Sequence, residues 1–375
     1  MRLERLKLEN YRNYERLDLV FDGLLHLFVG RNAQGKTNLL EAIHVLALAR
    51  SHRTHADEDL VRWGSETAAV AGIVERAKGE LQLELAVSRA GKKAKANGLE
   101  RRKLSEYVGS LNVVLFAPED LNLVKGAPGV RRRFLDMELG QAFPVYLREL
   151  SQYQRLLRQR NRLLRQYAGR PVPSGLLDVF SEQLAAVGVK VMLKRQGFIK
   201  KLSRWASDIH ERMTDGAERL DVRYLPSLEL DAEGDEDAAF RRFMVKLSQM
   251  REEELRRCVT LVGPHRDDLA FSVNGVDVQA FGSQGQQRTV ALSLKLAEIE
   301  LIAEETGEYP ILLLDDVLSE LDRFRRSRLI EAFRGRIQTF VTATSLEGLD
   351  FRSTAGATLY CVEAGRVRPA AEGEI

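Results

Sequence analysis

Cysteine is almost missing from this chain: 375 residues carry only Cys258 and Cys361. They form no close pair and no metal-ligand spacing, which excludes a disulfide framework and a cysteine-based metal site and leaves two reduced thiols. An excess of one charge is missing too, because 57 basic residues face 54 acidic ones for a net charge of +3. There is no global basic field, so any nucleic-acid binding must come from local patches. No apolar run approaches membrane-spanning length, and the opening "MRLERLKLEN" has no apolar centre like that of a signal peptide. The expectation is a soluble, cytoplasmic protein with no membrane partner. Internal repeats and extended low-complexity tracts are also lacking.

What is present is enough chain for about two domains, each able to bury a core. Early segments alternate as strands should ("RLERLKLENY", "RLDLVF") and lead to the apolar "LLHLFVG". Residues 66–116 read as β-rich, with a turn at Asn97-Gly98. From about residue 131 the periodicity turns helical, with a long run through "LLRQRNRLLRQY", a break at 169–175, and a second long run to "HERM". This reads as an antiparallel helical hairpin. A short strand pair near 219–230 and a helix near 237–257 follow. β pattern resumes at "CVTLVGPHRDDLAFSVNG", and the remainder alternates helix 289–305, strand "PILLLDD", helix 323–334 and strand "QTFVTAT". An α/β head split by a helical arm fits this order.

"GRNAQGKT" matches G-x-x-x-x-G-K-[ST] between an apolar strand and a helix. Its glycines let successive N–H groups turn inward around phosphates, and the helix N-terminus adds its dipole. The ATP-binding set is Gly30, Arg31, Asn32, Ala33, Gln34, Gly35, Lys36, Thr37 and Asn38. Lys36 would reach the β- and γ-phosphates, and the Thr37 hydroxyl would ligate Mg²⁺. "PILLLDD" supplies the carboxylates such a site needs: Asp315 to hold Mg²⁺ through water, and Asp316 to orient or deprotonate the attacking water. Taken alone, the Asp pair also reads as a helix N-cap. "SQGQQRT" opens a helix with polar groups that form no apolar face. Ser283 and the Gly285 N–H suit an anion, and Ser283 with Gln286 or Gln287 equally suits a capping box. In "GPHRDD", His265, Asp267 and Asp268 resemble metal ligands, but neighbours on a strand point to opposite faces, and a structural or ATP-coupled loop is preferred.

Two basic clusters offer phosphate contacts. One holds Arg89, Lys92, Lys93, Lys95, Arg101, Arg102 and Lys103; the other holds Arg131, Arg132 and Arg133, then Arg155, Arg158, Arg160, Arg162 and Arg165. Neither has the aromatic interleaving of a single-strand stacking platform. Duplex backbone binding is preferred, and a solvated charged face remains the alternative.

Six stretches in order carry a resemblance that runs from end to end: "LENYRNY" at 8–14, "GRNAQGKTNLLEAI" at 30–43, "LFAPEDL" at 115–121, "GPHRDDL" at 263–269, "SQGQQRT" at 283–289 and "LLLDDVLSELD" at 312–322. The chain resembles the RecF family of the ABC/SMC-like ATPase class. That resemblance implies an α/β, ABC-type P-loop ATPase head of mixed sheet and flanking helices, with an inserted α-helical arm. The head would comprise 1–130 and 259–375, and the arm 131–258. It implies that Ser283, Gln284, Gly285 and Gln286 form a signature motif acting in trans on the ATP of a second copy, with Asp322 crossing the same interface. It also implies that an arginine resembling Arg12 reaches the nucleotide. Asp316 stands where transporter-like relatives have glutamate, Thr344 near their switch histidine, and Glu119 near their loop glutamine. Slow, DNA-stimulated hydrolysis acting as a switch is the expectation.

The implied task is recombinational repair at gaps. An ATP-dependent homodimer would bind duplex DNA or a duplex–single-strand junction and help RecR and RecO place RecA, with links to replication and the SOS response and a nucleoid-associated location. A rival reading is an energising subunit for another machine, such as a membrane transporter. An SMC-like tether is a third, although its coiled coils would be far longer than these runs.

Overall fold

The computed structural model describes residues 1–168, 170, 175–231, 234–320 (backbone only at 319–320), 325–326, 328–329, 335–345 and 356–370. Most of the expected break at 169–175, most of the helix expected at 323–334, and Asp322 lie outside these residues. The chain divides into two compact units, Met1–Asp120 with Leu294–Ile375, and Leu121–Ser293.

The first unit contains two six-stranded sheets. One is antiparallel, in the order Tyr14–Val20, Arg2–Tyr11, Thr67–Arg76, Gly79–Ser88, Gly91–Ala96, Leu99–Arg101. In Arg2–Tyr11, Leu3, Leu6, Leu8 and Tyr11 are buried. The three-residue step from Leu3 to Leu6 breaks a strict period of two, and a register shift between Leu3 and Arg5 returns Leu6 to the inner face.

The other sheet runs Arg366–Pro369, Ala357–Glu363, Leu25–Val29, Thr339–Ala343, Ile311–Asp315, Val113–Phe116 and is parallel except for its first pair. Its three strands Val113–Phe116, Ile311–Asp315 and Thr339–Ala343 are buried at every residue. Continuous apolar runs such as "ILLL" are what a strand covered on both faces requires. The register sets Thr342 beside both Phe28 and Asp315, so the carboxyl ends of the three central strands lie level. Helix Lys36–Leu48 follows the first of them and is buried nearly all round.

The second unit is mainly helical: Pro128–Ala142, Pro144–Gln166, Leu176–Met213, Glu236–Gln249 and Arg251–Arg257. The first expected long run is therefore two helices. Phe143 is extended at φ −133° because it precedes Pro144, whose ring disfavours helix at the residue before it. The strand pair expected near 219–230 is a single strand, Leu220–Leu225. Its partner is the distant Asp268–Val273, with Leu225 opposite Asp268 and Leu220 opposite Val273. That long-range pairing takes the "GPHRDD" segment out of the expected head and into the second unit. This unit runs from 121 to 293, a different division of the chain from the arm expected at 131–258. Helix Gln284–Thr306 begins in the second unit and ends in the first.

Candidate nucleotide-binding site

The phosphate loop joins strand Leu25–Val29 to helix Lys36–Leu48. Gly35 turns the chain at φ 117° and Ala33 at φ 65°, left-handed values that glycine adopts freely and alanine does not. Gly30 is required for a different reason: a Cβ there would sit 2.3 Å from the Val362 carbonyl oxygen.

Lys36 is only 7% exposed, and its Nζ donates to the carbonyl oxygens of Gly30 at 2.6 Å and Arg31 at 2.9 Å. Burial pushes its pKa down, and the charges of Asp316 and Asp315 oppose that. Thr37 Oγ1 donates to Asp315 Oδ1 at 2.9 Å, and Thr342 Oγ1 donates to the same oxygen at 2.8 Å. Burial raises the Asp315 pKa, while the two hydroxyls and Arg53 favour its ionised form. A hydroxyl and a carboxylate in contact at the mouth of a loop of inward N–H groups are hard oxygen donors. They fit Mg²⁺, which prefers one or two protein oxygens plus phosphate. Asp316 follows at φ 53°, with its N–H donating to Thr342 Oγ1 at 2.9 Å. Arg31, Asn32 and Ala33 are exposed along the loop.

Several braces were not legible in the motif. Gln34 O accepts from Asn13 Nδ2 at 3.0 Å and from Gly365 N–H at 3.0 Å, and Gln34 Oε1 accepts from Ala364 N–H at 2.8 Å. Tyr14 OH donates to Gly35 O at 2.9 Å, and Asn38 Nδ2 donates to Asn13 Oδ1 at 2.8 Å. The loop is thus clamped by two turns distant in sequence, one at Arg12–Asn13 and one at Ala364–Gly365. Arg53 Nη1 donates to Asn38 Oδ1 at 2.8 Å, which makes it a site-edge cation that the sequence reading overlooked. The signal was an arginine in an otherwise polar loop shortly after the helix, too common a feature to single out.

Arg12 is placed otherwise than expected. Its Nε and Nη2 donate to the two carboxylate oxygens of buried Glu41 at 2.8 and 2.7 Å, and Ser51 Oγ donates to Glu41 at 2.6 Å. Arg12 braces the phosphate-loop helix through Glu41.

The signature stretch starts its helix as a reciprocal capping box. Gln286 N–H donates to Ser283 Oγ at 3.2 Å, and Ser283 N–H donates to Gln286 Oε1 at 3.0 Å. Gln286 Nε2 also donates to Glu218 Oε1 at 2.9 Å. Gln287 is buried and bonded to Val278 O, whereas Ser283, Gln284 and Gly285 are exposed.

The DNA candidates divide by strand and helix face. In Gly91–Ala96, Lys93 and Lys95 point outward, and Lys92 points inward with Ala94 and Ala96. The Lys92 side chain is 11% exposed and its Nζ is held by Asp57 and the Ala49 carbonyl, so it is withdrawn from the basic cluster. Lys95 lies 3.9 Å from Glu84, Arg101 is half-buried opposite Ala94, and Arg102 and Lys103 are exposed. Arg131 is corrected likewise: it is 2% exposed, bound to both Asp268 oxygens at 2.6 and 2.9 Å and to Gly126 O. Arg132 donates to Asp267 O at 2.7 Å, and Arg133 is exposed. Arg160 is buried against Glu254, while Arg155, Arg158, Arg162 and Arg165 are exposed.

In "GPHRDD" the three side chains diverge. His265 meets Tyr153 and Thr260 O, Asp267 meets Tyr224, Ser227 and Arg195, and Asp268 meets Arg131. Among the described residues no group of three or more His, Cys, Asp or Glu is arranged to hold a metal ion. No helix among them is long and apolar enough to cross a membrane.

The model of the RecF/RecN/SMC N terminal domain matches residues 2–358. The chain is 53% identical over 368 residues to the DNA replication and repair protein RecF of Geobacillus thermodenitrificans, covering 98% of this chain and 99% of that protein. It is 53% identical over 369 residues to the protein of the same description from Listeria welshimeri, covering 98% of this chain and 100% of that one. A solved structure described as the recombination mediator protein RecF-ATP in the RecFOR pathway superposes with a TM-score of 0.92 at 34% identity, covering 98% of this chain and 97% of that one. An SmcHead bound to the C-winged helix domain of ScpA shares the fold, at TM-score 0.56 and 16% identity. A phosphate loop facing a strand-end carboxylate, on an ABC-type head alignable over its whole length, leaves one assignment: the chain belongs to the RecF family of DNA replication and repair proteins.

Proposed function

We propose that this chain is an ATP-gated DNA clamp of recombinational repair. ATP lies in the loop Gly30–Thr37, with Lys36 released from its carbonyl partners onto the β- and γ-phosphates. Thr37 and Asp315 hold Mg²⁺, which would neutralise charge developing on the phosphates. Asp316 orients or deprotonates the attacking water. The exposed Ser283, Gln284 and Gly285, with Gln286 behind them and Asp322 from the segment that follows Asp315 and Asp316, cap the nucleotide of a second copy. The dimer so formed binds duplex DNA or a duplex–single-strand junction through exposed cations, among them Lys93, Arg102, Lys103 and Arg133. Hydrolysis is weak and DNA-stimulated, and it resets the switch. Downstream the dimer meets RecR and, with RecO, helps RecA onto gapped DNA in the cytoplasm, at the nucleoid, in support of replication and the SOS response.

One observation carries this reading. The residues that would hold a nucleotide belong to one compact unit, and the exposed capping motif belongs to the other. The loop already supplies the donors for its own phosphates, so a second donor cluster gains a purpose when offered to another copy.

A salt titration of duplex binding, with and without ATP, tests it. A clamp gives ATP-dependent retention that Lys36→Met abolishes. A passive basic surface gives the same steep salt dependence with or without ATP.

A further inference from the structure

Thr342 lies in the buried strand Thr339–Ala343, is 1% exposed, and pairs in register with Phe28 on one side and Asp315 on the other. Its hydroxyl has one proton to give and lone pairs to receive. The proton goes to Asp315 Oδ1 at 2.8 Å, the alternative acceptor Leu314 O being distant at 3.5 Å. The Asp316 N–H in turn donates to Thr342 Oγ1 at 2.9 Å. The direction of this chain is unique, because an ionised carboxylate only accepts and a peptide N–H only donates.

The second bond matters because Asp316 sits at φ 53°. A non-glycine residue in the left-handed region persists only where its surroundings hold it. The Thr342 hydroxyl is one such hold, and it bonds both adjacent acids, the side chain of Asp315 and the backbone of Asp316, to the neighbouring strand. We propose that Thr342 is a positioning residue for ATP hydrolysis: one hydroxyl fixes the carboxylate of Asp315 and the backbone turn that aims Asp316. Valine would fit the strand equally well by β-propensity, so the strand alone does not call for the oxygen.

The division of labour with Thr37 follows. Both hydroxyls donate to Asp315 Oδ1, but only Thr37 lies on the phosphate loop. When Thr37 turns toward metal and nucleotide, Thr342 keeps Asp315 from following it. Removing the Thr342 hydroxyl should therefore leave nucleotide binding nearly intact and misdirect the chemical step. A displacement of about 1 Å at a reacting group costs on the order of 100-fold in rate.

The inference rests on the proposed roles of Asp315 and Asp316, so the experiment separates the two. Turnover, nucleotide dissociation constant with and without Mg²⁺, and thermal midpoint are measured for Thr342→Val, Thr342→Ala, Thr342→Ser and Asp316→Asn. Expected are turnover at least about tenfold down in Val and Ala, metal-free affinity within about threefold of the parent, and turnover in Ser within about threefold of the parent. The alanine variant stands in if valine prevents folding, since alanine and serine differ by the oxygen alone. Parental turnover in Val and Ala, or equal loss in Ser and Ala, overturns the role of Thr342. Parental turnover in Asp316→Asn overturns instead the catalytic assignment beneath it.

Discussion

Thr37 Oγ1 donates to Asp315 Oδ1 at 2.9 Å, joining the end of the phosphate loop to a strand end 278 residues later in the chain. The sheet makes this possible, because Leu25–Val29 and Ile311–Asp315 flank Thr339–Ala343 in parallel register. Their carboxyl ends are where open α/β sheets bind ligands. Asp315→Asn should weaken nucleotide binding about tenfold or more in Mg²⁺ and leave it unchanged in EDTA. Calorimetric titration under both conditions checks this, and an equal loss in EDTA would mean that Asp315 shapes the loop itself.

Gly30→Ala should destabilise the first unit, because its Cβ would press against the Val362 carbonyl oxygen at 2.3 Å. Gly365→Ala should do the same against Asn13 O at 2.4 Å, with the added strain of φ 76°. Each should cost about 1–3 kcal/mol, read as a lower midpoint in chemical unfolding. Gly23→Ala meets nothing within 4 Å and loses only what φ 90° imposes, so it should be the mildest of the three.

Stability should fall below neutral pH. Burial pushes His26, His52 and His265 down to about 4 and His44 to about 3, from an ordinary 6.5. In that window the unfolded chain binds more protons than the folded one, so the stability of these neutral histidines is complete above about 6.5 and is lost as pH falls toward 4. The buried carboxyls Asp120, Asp267 and Asp315, whose pKa values burial raises, act in the opposite sense near the lower end. The urea midpoint at pH 5 should lie below that at pH 7.5; equal midpoints would mean the histidines stay accessible to protons in the folded chain.

Neighbouring arginines should behave differently. Arg133→Ala should reduce the salt slope of duplex binding by about one and leave stability unchanged. Arg131→Ala should destabilise by roughly 3 kcal/mol, because it strips Asp268 of its two-pronged partner. Salt-titrated binding and thermal unfolding of both variants make the comparison.

The contrast between those arginines shows where sequence reading stopped. "GRNAQGKT" and "ILLLDD" were legible because local pattern and chemistry coincide: glycines for the turn, an apolar run for a doubly covered strand, acids at its end. Facing direction was harder. Lys92 and Lys93 are adjacent, yet pleating sends one inward to Asp57 and the other to solvent. Arg131 and Arg133 separate in the same way around a helix. Pairings such as Leu225 with Asp268, or Gly365 against Gln34, depend on contacts across long stretches of chain that no window of sequence contains. The capping box at Ser283 and Gln286 was visible as one of two readings, and its geometry does not conflict with a role in trans, since Ser283, Gln284 and Gly285 remain exposed.

Sedimentation velocity with saturating ATP, Mg²⁺ and duplex DNA addresses the central claim, that nucleotide is held between two copies. The parent chain should sediment as a dimer, and Ser283→Arg should sediment as a monomer while binding ATP as tightly as the parent. A parent that stays monomeric under those conditions, or a Ser283→Arg variant that dimerises like it, would contradict the account.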